Sequence, residues 1–319
     1  MSPPQASEPW VCVVAPTSVL MVEIENATGS DEAGPSHAEI HVHPGGQGLW
    51  VASMARSLDA RVSVCGPFGG ETGAILRQLA ETDGLDVTAV EYAEGSAARV
   101  HDRRSGERKE IASMPAQALR RHETDEFFGA ALVTGTEADV CVITGAQPAD
   151  VLGADFFARL THDLLVGGAL VVADLSAEAA VQVAAQGPTL LKMSHLEVIA
   201  AGLADEETVD SLHWAARDLV AQGVGTMVVS RADEPTLVVD PEGSWLVHTP
   251  ALSTVDHRGA GDSMTAAIAV GLGRGMPVLE AVRLGAAAGT VNVTRRGLGT
   301  GGRAQIERFA TRVMIEELD

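Results

Sequence analysis

Basic side chains are scarce in this sequence. Its 319 residues include 22 Lys and Arg against 43 Asp and Glu, a formal net charge of −21. Nucleic acids and membrane surfaces are both anionic, so this balance argues against nucleic-acid binding and peripheral membrane attachment; clustered arginines can still hold a small anion. Lysine is the rarer base, at Lys109 and Lys192 only, so a lysine inside a motif carries weight. Three cysteines are too few for a disulfide framework. Cys12, Cys65 and Cys141 sit in apolar, strand-like surroundings and read as buried thiols, since free cysteine behaves as a small hydrophobe. No apolar run approaches the roughly 20 residues of a membrane helix. Met1 to Trp10 lacks the basic and apolar regions of a signal peptide, which makes the cytoplasm the expected compartment.

What is present is a globular composition, 46% hydrophobic and 20% charged. Segments of strand and helix character alternate from the start. Trp10 to Val14 reads as a buried strand, Leu49 to Leu58 as a helix, Arg61 to Cys65 as a strand and Thr72 to Ala80 as a helix. This order predicts a parallel sheet covered by helices. Two regions break it. Residues 17–43 contain a polar stretch and a weakly alternating strand, Ala38 to His43. Residues 87–112 read as three short strands, Val87 to Tyr92, Ala97 to Asp102 and Glu107 to Ile111. Together they are expected to form a small β lid outside the main sheet. Alternation then resumes, with strands at Val140 to Thr144, Ala169 to Asp174, Leu190 to Met193 and Thr226 to Ser230. The helices between them are read at Ala149 to Leu165, Ala177 to Ala185 and Glu206 to Gln222. A hairpin, Leu237 to Val247, precedes two Ala/Gly-rich helices, Ser263 to Leu272 and Pro277 to Ala288. With no repeat and no linker, residues 1–319 read as one domain.

Chemistry concentrates in Val255-Asp256-His257-Arg258-Gly259-Ala260-Gly261-Asp262-Ser263. Small residues at 259–261 let backbone N–H groups approach an anion, and the helix that follows adds free amides and the positive end of its dipole. Asp262 has two readings here. Aspartate is a good N-cap; beside a phosphate cradle it can also take the proton of a hydroxyl that attacks a phosphoryl group. Arg258 either adds a fixed positive charge at the phosphates or pairs with a carboxylate. Alternating His37, His41 and His43 suggest no third metal ligand.

These residues resemble the phosphofructokinase-B-type (PfkB) sugar kinases of the ribokinase-like superfamily. The likeness runs from about Val11 to Glu307. It is sharpest at Gly259-Ala260-Gly261-Asp262-Ser263-Met264 and at Ala281-Val282-Arg283-Leu284-Gly285-Ala286-Ala287-Ala288-Gly289. Pro44-Gly45-Gly46-Gln47-Gly48-Leu49-Trp50 resembles the N-terminal signature, and Lys192-Met193-Ser194-His195-Leu196-Glu197 the Lys-Pro-Asn-x-x-Glu segment. The resemblance implies a three-layer α/β domain with a β-sheet lid, paired lids in a homodimer, and a phosphotransferase using ATP and Mg2+. It implies Asp262 as catalytic base and the amides of Gly259, Ala260 and Gly261 as anion hole. Lys192 would contact nucleotide phosphates, and Glu197 would orient magnesium through water. Ser194, Ser230, Ala232 and Gly297 fall at nucleotide-side positions. Gly45, Gly46, Trp50, Val19, Arg99 and Arg258 fall on the acceptor side.

The departures lie mainly on that acceptor side. Trp50 replaces an Asn that binds substrate hydroxyls, Val19 an Asp that holds them, and Glu94-Gly95 a Thr-Arg whose Arg grips phosphate. The glycines of a nucleotide loop have become Ala232 and Pro235. The acceptor expected is an alcohol group of a sugar, sugar phosphate or related polyol, with fructose 6-phosphate and fructose 1-phosphate poor substrates. Trp50 and Val19 equally suit a nucleoside or another non-carbohydrate alcohol. The altered loops suit a non-catalytic relative that binds nucleotide or metabolite.

Overall fold

The computed structural model describes residues 8–27, 38–250, 252–253, 255–295, 299 and 301–318. A ten-stranded sheet runs through the molecule with helices on both faces. Seven of its strands, β1 (Trp10–Val14), β4 (Arg61–Phe68), β5 (Asp86–Glu91), β8 (Val140–Thr144), β9 (Leu170–Asp174), β10 (Leu190–Ser194) and β11 (Met227–Arg231), are parallel to one another. Three antiparallel strands close one edge: β12 (Glu234–Val239), β13 (Ser244–His248) and β14 (Met314–Glu317).

The pleat of β1 explains the three layers. Val11, Val13 and Ala15 point into one core and Cys12 and Val14 into the other, and all five are fully buried. A parallel strand covered on both faces needs just such an unbroken apolar run. The first core is filled by α1 (Gln47–Ser57), α2 (Gly70–Thr82), α8 (Ala260–Gly273), α9 (Val278–Val293) and α10 (Arg303–Ala310). The second takes α3 (Arg121–Glu137), α4 (Ala154–Val166), α5 (Ala177–Ala184), α6 (His195–Ala200) and α7 (Val209–Ala221). Every residue of α8 from Ser263 to Leu272 is buried, which is why that helix reads as Ala/Gly-rich rather than amphipathic.

A separate four-stranded sheet holds β2 (Val19–Asn26), β3 (Ala38–Gly45), β6 (Ala97–Asp102) and β7 (Lys109–Met114), in the order β3-β2-β6-β7. One expected strand is not in it. Residues 86–91 pair in parallel with β4 at the edge of the main sheet, so the 87–112 segment is divided between the two sheets. Val90 is buried there, and its neighbour Tyr92 donates its hydroxyl to the Gln117 carbonyl at 2.7 Å. The helix expected to begin at Ala149 begins at Ala154, after a single 3-10 turn over Ala149–Val151. Much of the polar stretch after Asn26, with His37, lies outside the described residues.

Candidate active site

The carboxyl ends of β1, β8, β9 and β10 face a cavity of about 560 Å³, with the small sheet along its far side. Clefts at the carboxyl ends of parallel strands are the usual ligand sites of such sheets. Asp174 ends β9, Lys192 lies within β10, and Asp262 stands in the first turn of α8; all three line the cavity.

The start of α8 is set by Gly259, which is left-handed at φ 72° and serves as N-cap. That conformation favours glycine. Asp262 is therefore the third helical residue and not the cap, and its side chain makes no capping bond. Gly261 is required by close approach: a Cβ there would stand 2.7 Å from Lys192 Nζ. The ammonium thus lies against the backbone of the cradle. It bonds both oxygens of Asp174, at 3.1 and 3.0 Å, and both side chains are buried. Thr265, one turn further along α8, donates to Asp174 Oδ2 at 2.6 Å. Asp174 was not singled out from the sequence; its signal was a carboxylate at the end of a buried strand.

Three carboxylates, Asp174, Glu197 and Asp262, line the cavity close to one lysine. Burial pushes Asp262 up to about 7, and Asp174 adds to the rise while Lys192 opposes it. Burial alone would pull Lys192 down, but Asp174, Asp262 and Glu197 outweigh it and the ammonium is held above its ordinary range. A base poised near neutrality is suited to taking a proton from a hydroxyl. Glu197, in the same cavity, offers carboxylate oxygens of the kind a divalent cation binds. Glu197 is held in place by accepting the Ser194 N–H at 2.7 Å, in the capping box that starts α6. Ser194 is committed to that box.

Of the residues expected on the acceptor side, Val19, Trp50, Gly46, Arg99 and Arg258 all line the cavity. Gly46 is at φ 98°, and a Cβ on it would meet the Thr17 carbonyl at 2.8 Å, so it fixes the start of α1 against the Thr17–Val19 loop. Gly45 packs on Met21 and is not among the lining residues. Gln47 ties the floor together, accepting the Gly145 N–H and donating to the Asp174 carbonyl. Arg108, unremarked in the sequence, joins Arg99 and Arg258 at the cavity wall. Glu94 and Gly95 are not among the lining residues; Glu94 pairs with Arg120.

Of the residues expected on the nucleotide side, Ser230 lies in β11 just before a turn in which Ala232 keeps the left-handed backbone, φ 50°, that a glycine would adopt more easily, and neither lines the cavity. The Ser230 carbonyl lies 3.3 Å from His195 Nδ1. Gly297 lies outside the described residues. His41 pairs with Glu39, and among the described residues no cluster of His, Cys, Asp and Glu forms a metal site. No helix of the described residues is long and apolar enough to cross a membrane.

Comparison with known proteins agrees with this geometry. The chain is 30% identical over 258 residues to the ATP-dependent 6-phosphofructokinase isozyme 2 of Escherichia coli, covering 80% of this chain and 82% of that one. It is 27% identical to the 1-phosphofructokinase of Bacillus subtilis, over 81% of this chain and 84% of that one. Its fold superposes on the crystal structure of phosphofructokinase-2 from Escherichia coli with a TM-score of 0.83 at 24% identity, across 95% of this chain and 98% of that one. The family described as pfkB family carbohydrate kinase matches residues 13–304, nearly the whole core and every cavity residue named above, and the chain belongs to that family.

Proposed function

We propose that this carbohydrate kinase uses Asp262 as the general base for phosphoryl transfer from ATP to an alcohol group of a sugar or sugar phosphate. The observation that carries the reading is Asp262 itself: a carboxyl raised to about 7, beside the αL start of α8, in one cavity with Lys192. The acceptor hydroxyl approaches Asp262, which takes its proton as the oxygen attacks. The amides of Gly259, Ala260 and Gly261 receive charge on the transferring group, and Lys192, locked by Asp174, adds a fixed positive charge. Glu197 would hold magnesium through water, and the bound ion would neutralise phosphate charge. Ser230 and the Ala232 turn flank the nucleotide.

The acceptor end carries Arg99, Arg108 and Arg258 in place of the arginine missing at Gly95, which favours an acceptor with an anionic group. Val19 and Trp50 supply apolar wall where hydroxyl partners would stand, so fewer hydroxyls are paired than in a fructose-phosphate site. The small sheet closes that end of the single domain as a lid. Away from the cavity it leaves Ile40, Val42 and Ile111 exposed, an apolar surface suited to a second copy of the sheet in a homodimer.

A coupled assay for ADP release tests the proposal, with Mg-ATP and a panel of hexoses, pentoses, nucleosides and the sugar phosphates. Acceptor-dependent ADP release with a sugar or sugar phosphate is expected. Release with nucleosides alone, or tight nucleotide binding with no release for any acceptor, would replace the reading by one of its two competitors.

A further inference from the structure

The segment that leads into the cradle carries an acid that the chemistry above leaves unused. Asp256 Oδ1 accepts the backbone N–H of Arg258 at 3.1 Å and its Nε at 2.9 Å, and Oδ2 pairs with Arg258 Nη2. The same Oδ2 lies 3.8 Å from Nη2 of Arg103, which follows β6 on the small sheet. Arg103 Nε is 3.2 Å from Glu23 Oε1, and Arg108 Nε is 3.2 Å from that same oxygen. A line of alternating charge therefore runs Arg258–Asp256–Arg103–Glu23–Arg108, and both of its ends line the acceptor cavity.

The two halves of this line belong to different bodies. Asp256 is fixed to the main body, since its N–H bonds the Val293 carbonyl at 3.2 Å and Asn292 donates to the Arg258 carbonyl at 2.8 Å. Glu23, Arg103 and Arg108 belong to the small sheet and its turn. Only 16% of the Asp256 side chain and 19% of that of Arg103 are accessible, so the pair is screened far less than a surface pair. Removing one member leaves the others as imperfectly compensated, half-buried charges.

We infer that Asp256 is a positioning residue that couples the small sheet to the anion cradle: one carboxylate both orients Arg258 at the cradle's lip and holds Arg103, and with it the small sheet, against the main body. Asp256 does not touch the reacting atoms and acts through the two arginines. Its loss would loosen the residue 97–114 region and misplace Arg258 together, weakening acceptor capture more than the chemical step. The kinetic part of this inference rests on the proposed function; the structural part does not.

The test uses the full-length protein, with hydrogen exchange measured first without ligands. Asp256→Asn and Arg103→Gln are each expected to speed exchange of peptides covering 97–114 by about threefold or more, leaving β8–β11 unchanged. The double variant should exchange no faster than the faster single one, because both changes break the same link. With Mg-ATP and an acceptor that the wild type uses, Asp256→Asn should raise KM for acceptor about tenfold and alter kcat less than threefold, with Asp256→Glu recovering part of the loss. Unchanged exchange over 97–114 in both single variants would overturn the inference, and so would a uniform rise across the main sheet. If the wild type transfers no phosphoryl group, the proposed function fails while the exchange result still decides the link. Should Asp256→Asn not fold, Arg103→Gln gives the same readout from the small-sheet side.

Discussion

The two ends of the cavity are built by different means. At the cradle end, contiguous residues do most of the work: Gly259, Gly261, Asp262 and Thr265 follow one another into α8, and Lys192 and Asp174 reach in from adjacent strands with nearly complete burial. At the small-sheet end the groups come from four distant parts of the chain, around 19–25, 99–108, 114–116 and 256–258, and their charges are partly open to water. On the proposed function, the cradle would fix a chemistry common to many acceptors and the other end would choose among them, and it is at that other end that this chain departs from the pattern its sequence resembles. A chain of net charge −21 still gathers Arg99, Arg108 and Arg258 at one cavity wall, each paired with a carboxylate: Glu110, Glu23 and Asp256.

Changes at the cradle end should have the larger effects. Asp262→Asn keeps the shape and removes the base; turnover is expected to fall by about 10²–10⁴ with nucleotide affinity retained, measured by steady-state kinetics and by calorimetry. Lys192→Met leaves Asp174 buried without its cation, at a cost of about 3–5 kcal/mol. Thermal unfolding should show a clear drop in Tm, and an unchanged Tm would mean the pair contributes nothing to the fold.

At the acceptor end the expected effects are smaller and selective. Fructose 6-phosphate and fructose 1-phosphate should be used with kcat/KM below about 10⁴ M⁻¹s⁻¹, the low end of ordinary enzymes. Val19→Asp should improve fructose 6-phosphate by about 5–100-fold, as one recovered hydroxyl contact of about 1–3 kcal/mol implies. Ordinary efficiency in the wild type would show that the arginines already compensate, and would erase the contrast between the two ends.

A separate expected effect concerns stability against pH. Asp262 has its carboxyl raised from 3.8 to about 7 in the folded protein, so the folded state holds a proton that the unfolded chain has released between those values. Stability from this group is thus present at low pH and lost as pH rises through about 7. Asp262→Asn removes the penalty, so its Tm should exceed that of the wild type at pH 8, with the gap narrowing as pH falls through about 7 and closing only near pH 4.

The parallel sheet, the start of α8 and most cavity residues were legible in the sequence because each depends on local pattern: strand runs, glycine spacing, a lysine where lysine is rare. Three things were not. Residues 86–91 looked like the strands that follow them, and only pairing with β4 assigns them to the main sheet. Helix α3 was missed because few of its positions are buried, among them Phe127 and Ala131, and Gly129, Thr134 and Gly135 dilute its pattern. Asp174 and the Asp256–Arg103 link depend on contacts across 18 and 153 residues, which no local spacing encodes.

The pH dependence of kcat/KM for the acceptor, compared between wild type and Asp262→Asn, tests the central claim most directly. That parameter reports ionisations of the free enzyme. The wild-type profile should fall with unit slope below an apparent pKa near 7 and level off above it, and the residual rate of Asp262→Asn should show no such limb. A wild-type profile flat from pH 5.5 to 8, or the same limb persisting in Asp262→Asn, would contradict the assignment of Asp262 as the base.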